Sequence, residues 1–431
     1  MTSNVPPQWQ QPEPGSYVPP PRPWQTAESP SRSAAPAPDA APAPAAGGAR
    51  GTAWPPLPVP PARGPSLRPG ALALLVGGGA ALLAGLAVVV PFLLRATGSS
   101  GLLVGFVLSL FPLAIVLLAV FAVDRWEPEP RRLIVLALVW GAVMSVAATT
   151  LVQPLFLDAF GPHSGAAQTM RFLATVEAPI VEEGTKGLGL LILMLAARKY
   201  VDGPVDGIVY GMTIAAGFAF TENILYFGRL FSETSGSAAS LAVIFTMRGV
   251  LSPFAHAMFT GTLGLIMGLA ARRWSPGLVI GAFLVGLTPA MLLHNIWNSG
   301  GEDFFLLYVL VQIPLFGAAA VGVYFLRRAE ARLTHARLVE YAQAGWFSPL
   351  EVEMLATPRG RSAGLRWATG LGRRSAMRAF IRTATDLAAT RQRVLSGRDV
   401  RGYAAAQQEL LDRIGRERDA LLGVSGGHPQ L

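Results

Sequence analysis

The 431-residue chain has no cysteine. Disulfides, thiolate nucleophiles and cysteine-held zinc or iron–sulfur centres are therefore excluded, and any chemistry falls to carboxylates, imidazoles, hydroxyls or a metal that these hold. Charge is scarce as well. Asp, Glu, Lys and Arg make up 14% of the residues, against roughly a quarter in soluble domains. With 52% hydrophobic residues and a mean hydropathy of +0.43, this scarcity excludes a purely soluble enzyme. Lysine is almost missing: Lys186 and Lys199 are the only two, so arginine carries the net charge of +9. Its placement in loops and tails suits contact with anionic lipid headgroups. No basic patch interleaved with exposed aromatics is left unexplained by that placement, and nucleic acid is not expected as a partner.

What is present falls into three parts. Residues 1–70 are dense in Pro, Ala, Gly and Ser. They offer too little apolar surface to fold and read as a disordered cytoplasmic tail. The first apolar run begins only at Ala71, too late for a signal peptide, so the tail is expected to be uncleaved. Residues 71–326 hold eight apolar runs, at about 71–94, 101–123, 133–157, 170–197, 204–228, 240–271, 276–298 and 303–326. Each is long enough to cross a hydrocarbon core of about 30 Å. Such runs are too long and too uniformly apolar for barrel strands. The expected fold class is all-α, a polytopic membrane helix bundle of about eight transmembrane helices in the lipid bilayer.

Basic residues alternate between the breaks. Arg125, Arg131, Arg132, Arg198, Lys199, Arg272, Arg273, Arg327 and Arg328 fall on one side, and Arg95, Arg171, Arg229 and Arg248 on the other. Basic loops are retained in the cytoplasm, which places both termini there. Residues 327–431 carry 18 Arg against 10 acidic residues. Ser348-Pro349-Leu350-Glu351 has the form of a capping box. Met377, Phe380, Ala384, Leu387 and Val394, then Leu410, Ile414 and Leu421, recur at helical spacing. The expectation is a small, basic, helical cytoplasmic appendage that lies on the inner leaflet or holds a partner through its apolar stripe.

Four of the membrane segments carry groups that are costly in hydrocarbon, and such groups are functional candidates. The fourth segment contains Glu177, Glu182, Glu183 and Lys186. Spacings of four and three put both Glu182 and Glu183 within reach of Lys186. Two carboxylates beside one ammonium share protons, an arrangement suited to acid and base work, although the same trio also reads as simple charge neutralisation. The fifth segment has Phe218, Glu222 and Asn223, the sixth His256 followed by Thr260, and the seventh His294, Asn295 and Asn298.

Two hydrolytic chemistries can use this set. In one, His256, His294 and Glu222 hold zinc or another divalent metal and Glu182 or Glu183 is the base. In the other, no metal is needed: a glutamate near Lys186 activates water, His256 orients it, and His294 with Asn298 stabilises the oxyanion. The sequence does not choose between them. The HExxH signature is absent. Buried acids, histidines and a lysine also make proton- or ion-coupled transporters. Transporters repeat their broken helices in two halves, and no such repeat is seen. A membrane scaffold is the third class, and it leaves the buried charges without a purpose.

The motifs Glu182-Glu183-Gly-Thr-Lys186, Phe218-x-x-x-Glu222-Asn223, His256 and His294-x-x-x-Asn298, on successive membrane helices, resemble the PrsW family of intramembrane proteases. That family is related to the CAAX prenyl-protease and bacteriocin-processing group. The loop Asp124-Arg125-Trp126-Glu127-Pro128-Glu129-Pro130 is also similar to loops of that family, and the resemblance covers about Leu102 to Phe325. It implies hydrolysis of a peptide bond in a membrane-protein substrate. Glu182 and Glu183 would be base candidates, and Glu222, His256 and His294 metal or transition-state ligands. The family's best-known role is cleavage of a membrane anti-sigma factor, which suggests regulated proteolysis of a signalling protein. The tail and the appendage lie outside the resemblance. The excess of arginine over lysine, with abundant Ala, Gly and Pro, matches a GC-rich bacterial genome and hence a bacterial cytoplasmic membrane. No cleavage site or oligomeric state is legible.

Overall fold

The computed structural model of the chain describes residues 69–162, 165–198, 200–273, 275–300, 304–396 and 403–423. The tail expected over residues 1–70 lies almost wholly outside them. Ala80–Leu431 belong to one compact unit, and Pro12–Gly79 to a second of which only the start of the first helix is described. Every described element is helical.

The first helix, α1 (Pro69–Val123), bends at Gly98, where φ is 65°. Only glycine takes that left-handed conformation without strain, so the long apolar run is divided into two arms as the sequence predicts. The next membrane segment joins α2 (Arg131–Val139), a π-helical stretch Trp140–Ser145 and α3 (Val146–Phe160). The fourth joins α4 (Ala166–Phe172), a second π stretch Leu173–Glu177 and α5 (Ala178–Ala196). Then come α6 (Pro204–Glu233), α7 (Ala238–Phe245) running through Thr246–Leu251 and on to α8 (Ala255–Ala271), and α9 (Pro276–Asn298). The last joins α10 (Phe304–Leu307), the π stretch Tyr308–Gln312 and α11 (Ile313–Gln343).

Six described helical lines are long and apolar enough to cross a membrane, where the sequence suggests eight. The difference has two causes. One line, Gly77–Val123, contains both arms of the bent first helix. The segment Ala166–Ala196 has the length but carries Glu177, Glu182, Glu183 and Lys186 in its middle. Its charges, and not its size, set it apart.

Glycine decides how closely these helices approach. A Cβ on Gly207 of α6 would run into the backbone carbonyl of Gly264 on α8, and one on Gly211 into that of Thr260. Close backbone contact of this kind is how membrane helices associate without a hydrophobic drive between them. Around the pair, Leu190, Tyr210, Ile214, Leu263 and Met267 are fully buried. On the outside the pattern inverts: Leu83, Leu118, Leu155 and Val285 are widely exposed, the surface that lipid covers.

Beyond α11 the chain folds by the rules of water-soluble proteins. The helix α12 (Pro349–Ala356) opens on the expected capping box: Ser348 Oγ accepts from the Glu351 amide at 3.1 Å and Glu351 Oε2 accepts from the Ser348 amide at 2.8 Å. It is followed by α13 (Pro358–Gly370), α14 (Arg374–Leu395) and α15 (Tyr403–Leu422). The expected stripes meet one another. Met377, Phe380, Ala384 and Leu387 of α14 are buried with Leu411, Ile414 and Leu421 of α15 and with Leu338 of α11. They form the appendage's own core and leave little apolar stripe for a partner.

Arginines fasten the appendage to the membrane core: Arg393 of α14 lies 3.5 Å from Asp202 in the loop before α6, and Arg361 makes the more extensive joint. The Arg361 guanidinium lies 3.5 Å from the centroid of the Trp126 ring and donates to the Trp126 carbonyl at 2.8 Å, to the Leu355 carbonyl at 2.6 Å and to Thr385 Oγ1 at 2.8 Å. Asp124 in the same loop accepts from the Glu129 amide at 3.0 Å, and Tyr210 of α6 donates to Glu129 Oε2 at 2.6 Å. Burial pushes the Asp124 carboxyl up to about 6 and those of Glu127 and Glu129 well above the ordinary range.

Candidate functional site

The site grows from one turn of α5. Lys186 Nζ lies 2.5 Å from Glu183 Oε1 and 3.5 Å from Glu182 Oε2, the contacts expected from spacings of three and four. Lys186 and Glu183 are wholly buried. Charges in such surroundings persist only when paired and hydrogen-bonded. Glu183 meets that condition from three helices. Besides Lys186 it accepts from Thr260 of α8 at 2.8 Å, and His294 of α9 approaches its Oε1 through Nδ1 at 3.1 Å. Gly187 permits the approach on α5, since a Cβ there would press on Leu263 and Phe283.

His256, at the start of α8, is held in the same fashion by a different carboxylate. Its Nε2 lies 2.8 Å from Glu222 Oε2 on α6, while its Nδ1 lies 3.3 Å from Lys186 Nζ. An ammonium has only hydrogens to give, so Nδ1 is the accepting nitrogen and Nε2 carries the proton toward Glu222. Arg248, in the π stretch Thr246–Leu251, closes the far side of Glu222 at 2.8 Å and donates to Asn223 Oδ1 at 2.9 Å. Aromatic rings fix both imidazoles: Phe259 stacks on His294 with centroids 4.8 Å apart and Phe218 lies 5.7 Å from His256.

The result is two imidazoles, each with a carboxylate on one ring nitrogen, facing each other at a centroid distance of 5.3 Å. The remaining glutamate lies between them. Glu182 Oε2 is 3.9 Å from His294 Nε2, and one ligand atom from each of Glu182, His256 and His294 lies within 4.8 Å of the others. Two nitrogens and a carboxylate oxygen are the donor set of a hydrolytic zinc site that keeps a position open. Carboxylates on the outer ring nitrogens are the usual support for histidine ligands. The residues fit a divalent metal.

Of the seven residues the sequence singles out, Glu182, Glu183, Lys186, His256 and His294 come together in one cluster. Glu222 joins its edge as the partner of His256 and Arg248, and the ligand atoms that converge are those of Glu182 and the two histidines. Asn298 donates to the Ala174 carbonyl at 2.8 Å, and Asn295 to that of Thr175. Both amides thereby tie α9 to the π stretch Leu173–Glu177. Sequence reading uses Arg248 only to orient the membrane segments and does not place it at the site. The usable signal is its position within an apolar run, where an arginine needs a carboxylate partner.

Comparison with known proteins bears on the membrane core. A family model described as PrsW family intramembrane metalloprotease matches residues 129–319. Protease PrsW of Clostridioides difficile (strain 630) is 33% identical over 159 residues, 37% of this chain and 63% of that protein. Protease PrsW of Geobacillus kaustophilus (strain HTA426) is 27% identical over 148 residues, 34% of this chain and 58% of that protein. The chain thus spans about three fifths of the length of the curated relatives it matches. No solved structure matches it. The matched region runs from Glu129 into α11 and contains every residue of the cluster, so it is in its membrane core that the chain is similar to the PrsW family.

Proposed function

We propose that the chain is an intramembrane protease that hydrolyses a peptide bond of a membrane-protein substrate. The observation that carries this reading is the convergence of Glu182, His256 and His294 ligand atoms within 4.8 Å in an apolar helix bundle, the two histidines on helices long and apolar enough to cross a membrane. A divalent metal held by these three residues, zinc by the nature of the donors, would supply Lewis acidity to a scissile carbonyl and to water. The chain's own groups do the rest. Lys186 and Thr260 hold Glu183, which fixes the His294 ring. Arg248 holds Glu222, which fixes His256.

Glu182 is the carboxylate suited to hold and release the proton. Glu183 has both oxygens engaged, whereas Glu182 Oε1 has no partner among the described residues and the side chain is 12% exposed. In the metal-free form, where Glu182 holds no cation, it would take a proton from water and return it to the leaving amine. One observation favours the metal-free form of this chemistry: the Lys186 ammonium lies beside His256 Nδ1, the nitrogen turned away from Glu222. The alternation of basic loops supports a bacterial cytoplasmic membrane with both termini in the cytoplasm.

The test has two readouts on the detergent-purified chain and on cells that express it. Elemental analysis of wild type is expected to find about one zinc per chain, in line with a three-ligand site, and little in His256→Ala or His294→Ala. Mapping of new N-termini in the membrane proteome is expected to show cleavage products that vanish with Glu182→Gln. Products without metal leave the glutamate mechanism in place. Neither metal nor products would overturn the protease reading and return the transporter.

A further inference from the structure

A hydrolase buried in a bilayer must admit water, and the cluster is walled by aromatic rings and packed glycines on its α6, α8 and α9 sides. The wall toward α3 is different. Ser145, Thr149 and Gln153 are spaced by four and occupy one face of the third membrane segment, a row about 12 Å long at 1.5 Å per residue. Opposite them lies the fourth segment. Gln153 Nε2 donates to Glu177 Oε2 at 3.1 Å, and Thr149 Oγ1 is 3.3 Å from Thr185 Oγ1. Thr185 gives its own proton to the Glu182 carbonyl at 3.0 Å, so Thr149 is the donor in that pair. The row therefore ends on the backbone of Glu182.

Two atoms along the row are unsatisfied. Glu177 is wholly buried, yet its Oε1 has no hydrogen-bond partner among the described residues, and the same holds for Ser145 Oγ. A carboxylate oxygen left bare in such a place is strongly unfavourable unless water or a proton reaches it. At the outer end Gln153 lies exposed on the bundle surface while Glu177 behind it does not, so the row begins with a polar amide at the surface and leads to a buried carboxyl. Pro154 follows Gln153 and cannot donate to the Thr150 carbonyl one turn earlier, which leaves another polar group near that end. The π stretch Leu173–Glu177 presents Glu177 toward this seam while its carbonyls at 174 and 175 are held by Asn298 and Asn295 on the other side.

We infer that the seam between α3 and the Leu173–Ala196 segment, lined by Gln153, Glu177, Thr149 and Ser145, is the path by which water reaches Glu182. Its purpose rests on the hydrolase reading, but its existence does not. Glu177 is a positioning residue in this scheme: its free oxygen holds water inside the seam and touches no substrate. With the termini in the cytoplasm, the Gln153 end opens to the outer face.

The absence of cysteine makes the test direct. Single cysteines are placed at Thr149 and Gln153, and at the lipid-facing Leu151 and Leu155 as controls, in an otherwise unchanged chain. A charged, membrane-impermeant methanethiosulfonate is then added to intact cells. Only a hydrated thiol ionises and reacts, so Thr149→Cys and Gln153→Cys are expected to label at least about tenfold faster than the controls. Adding Glu177→Leu to Thr149→Cys should bring its rate down to the control level, whereas Glu177→Gln should not. All variants are first checked for monodisperse elution in detergent. Equal rates at all four positions, or labelling only from inside-out vesicles, would overturn the inference. Fast labelling in a chain with no proteolytic products supports the seam and counts against the protease reading alone.

Discussion

The membrane core and the C-terminal appendage are both helical bundles, yet they are built inside out with respect to each other. In the core, Glu183 and Lys186 are fully buried while Leu118 and Leu155 are about 70% exposed. In the appendage, Phe380, Leu387 and Ile414 are fully buried and arginines such as Arg378 and Arg413 face outward. The interior of a soluble bundle is held by what water rejects. Lipid rejects charge far more than it rejects leucine, so the core is held instead by backbone approach at Gly207 and Gly264 and by polar groups that find each other. Chemistry can reside in the core because its polar groups are satisfied by one another and not by solvent.

The largest effect should come from breaking that mutual satisfaction. Lys186→Met strands the Glu183 carboxylate in the core and is expected to cost about 3–5 kcal/mol, visible as a sharp fall in the detergent thermal midpoint. Adding Glu183→Gln should restore much of it. A double variant no better than the single one would mean that the lysine acts through packing and not through charge.

The joint between the two regions should respond to pH. Asp124 titrates near 6 in the folded chain, chiefly because it is buried, and despite the Glu129 amide and the Arg327 charge that favour its ionised form. The folded state therefore holds this proton more tightly than the unfolded chain does, and the joint loses stability as pH rises from about 4 to about 6. Glu127 and Glu129, shifted the same way by burial and by neighbouring acids, extend the loss to higher pH. Amide exchange in α13 and α14 is expected to be slower at pH 5 than at pH 8 once corrected for intrinsic rates. Asp124→Asn should flatten the lower part of that profile.

The smallest effect belongs to the appendage alone. Ser348→Ala removes one half of the capping box and should cost about 1 kcal/mol. Limited proteolysis should detect it near α12, with whatever metal the wild type holds unchanged. A loss of metal in this variant would show that the two regions are coupled more tightly than the Arg361 joint implies.

The parts legible in the sequence were those set by short-range rules. Segment lengths, the Glu183–Lys186 spacing, the Ser348 cap and the Phe380 stripe follow from helix geometry within a few residues. The helix total is blurred where a single glycine, Gly98, bends one run into two. The parts not legible depend on partners far apart in the chain. Arg248 meets Glu222 across 26 positions and Arg361 meets Trp126 across 235. The π stretches leave no periodic mark either, since they alter the register of a helix without changing its hydrophobicity.

The pairing of α6 with α8 has a mechanical consequence. Where backbone meets backbone at Gly207 and Gly264 no side chain lies between the two helices, so their contact has no soft layer to yield and is the stiffest in the core. That pair carries Glu222, His256 and Thr260. On the protease proposal, a substrate chain would reach the cluster past the other walls, where α9 is tied by Asn295 and Asn298 to the π stretch of the fourth segment. Half of the site is anchored, and access falls to the other half.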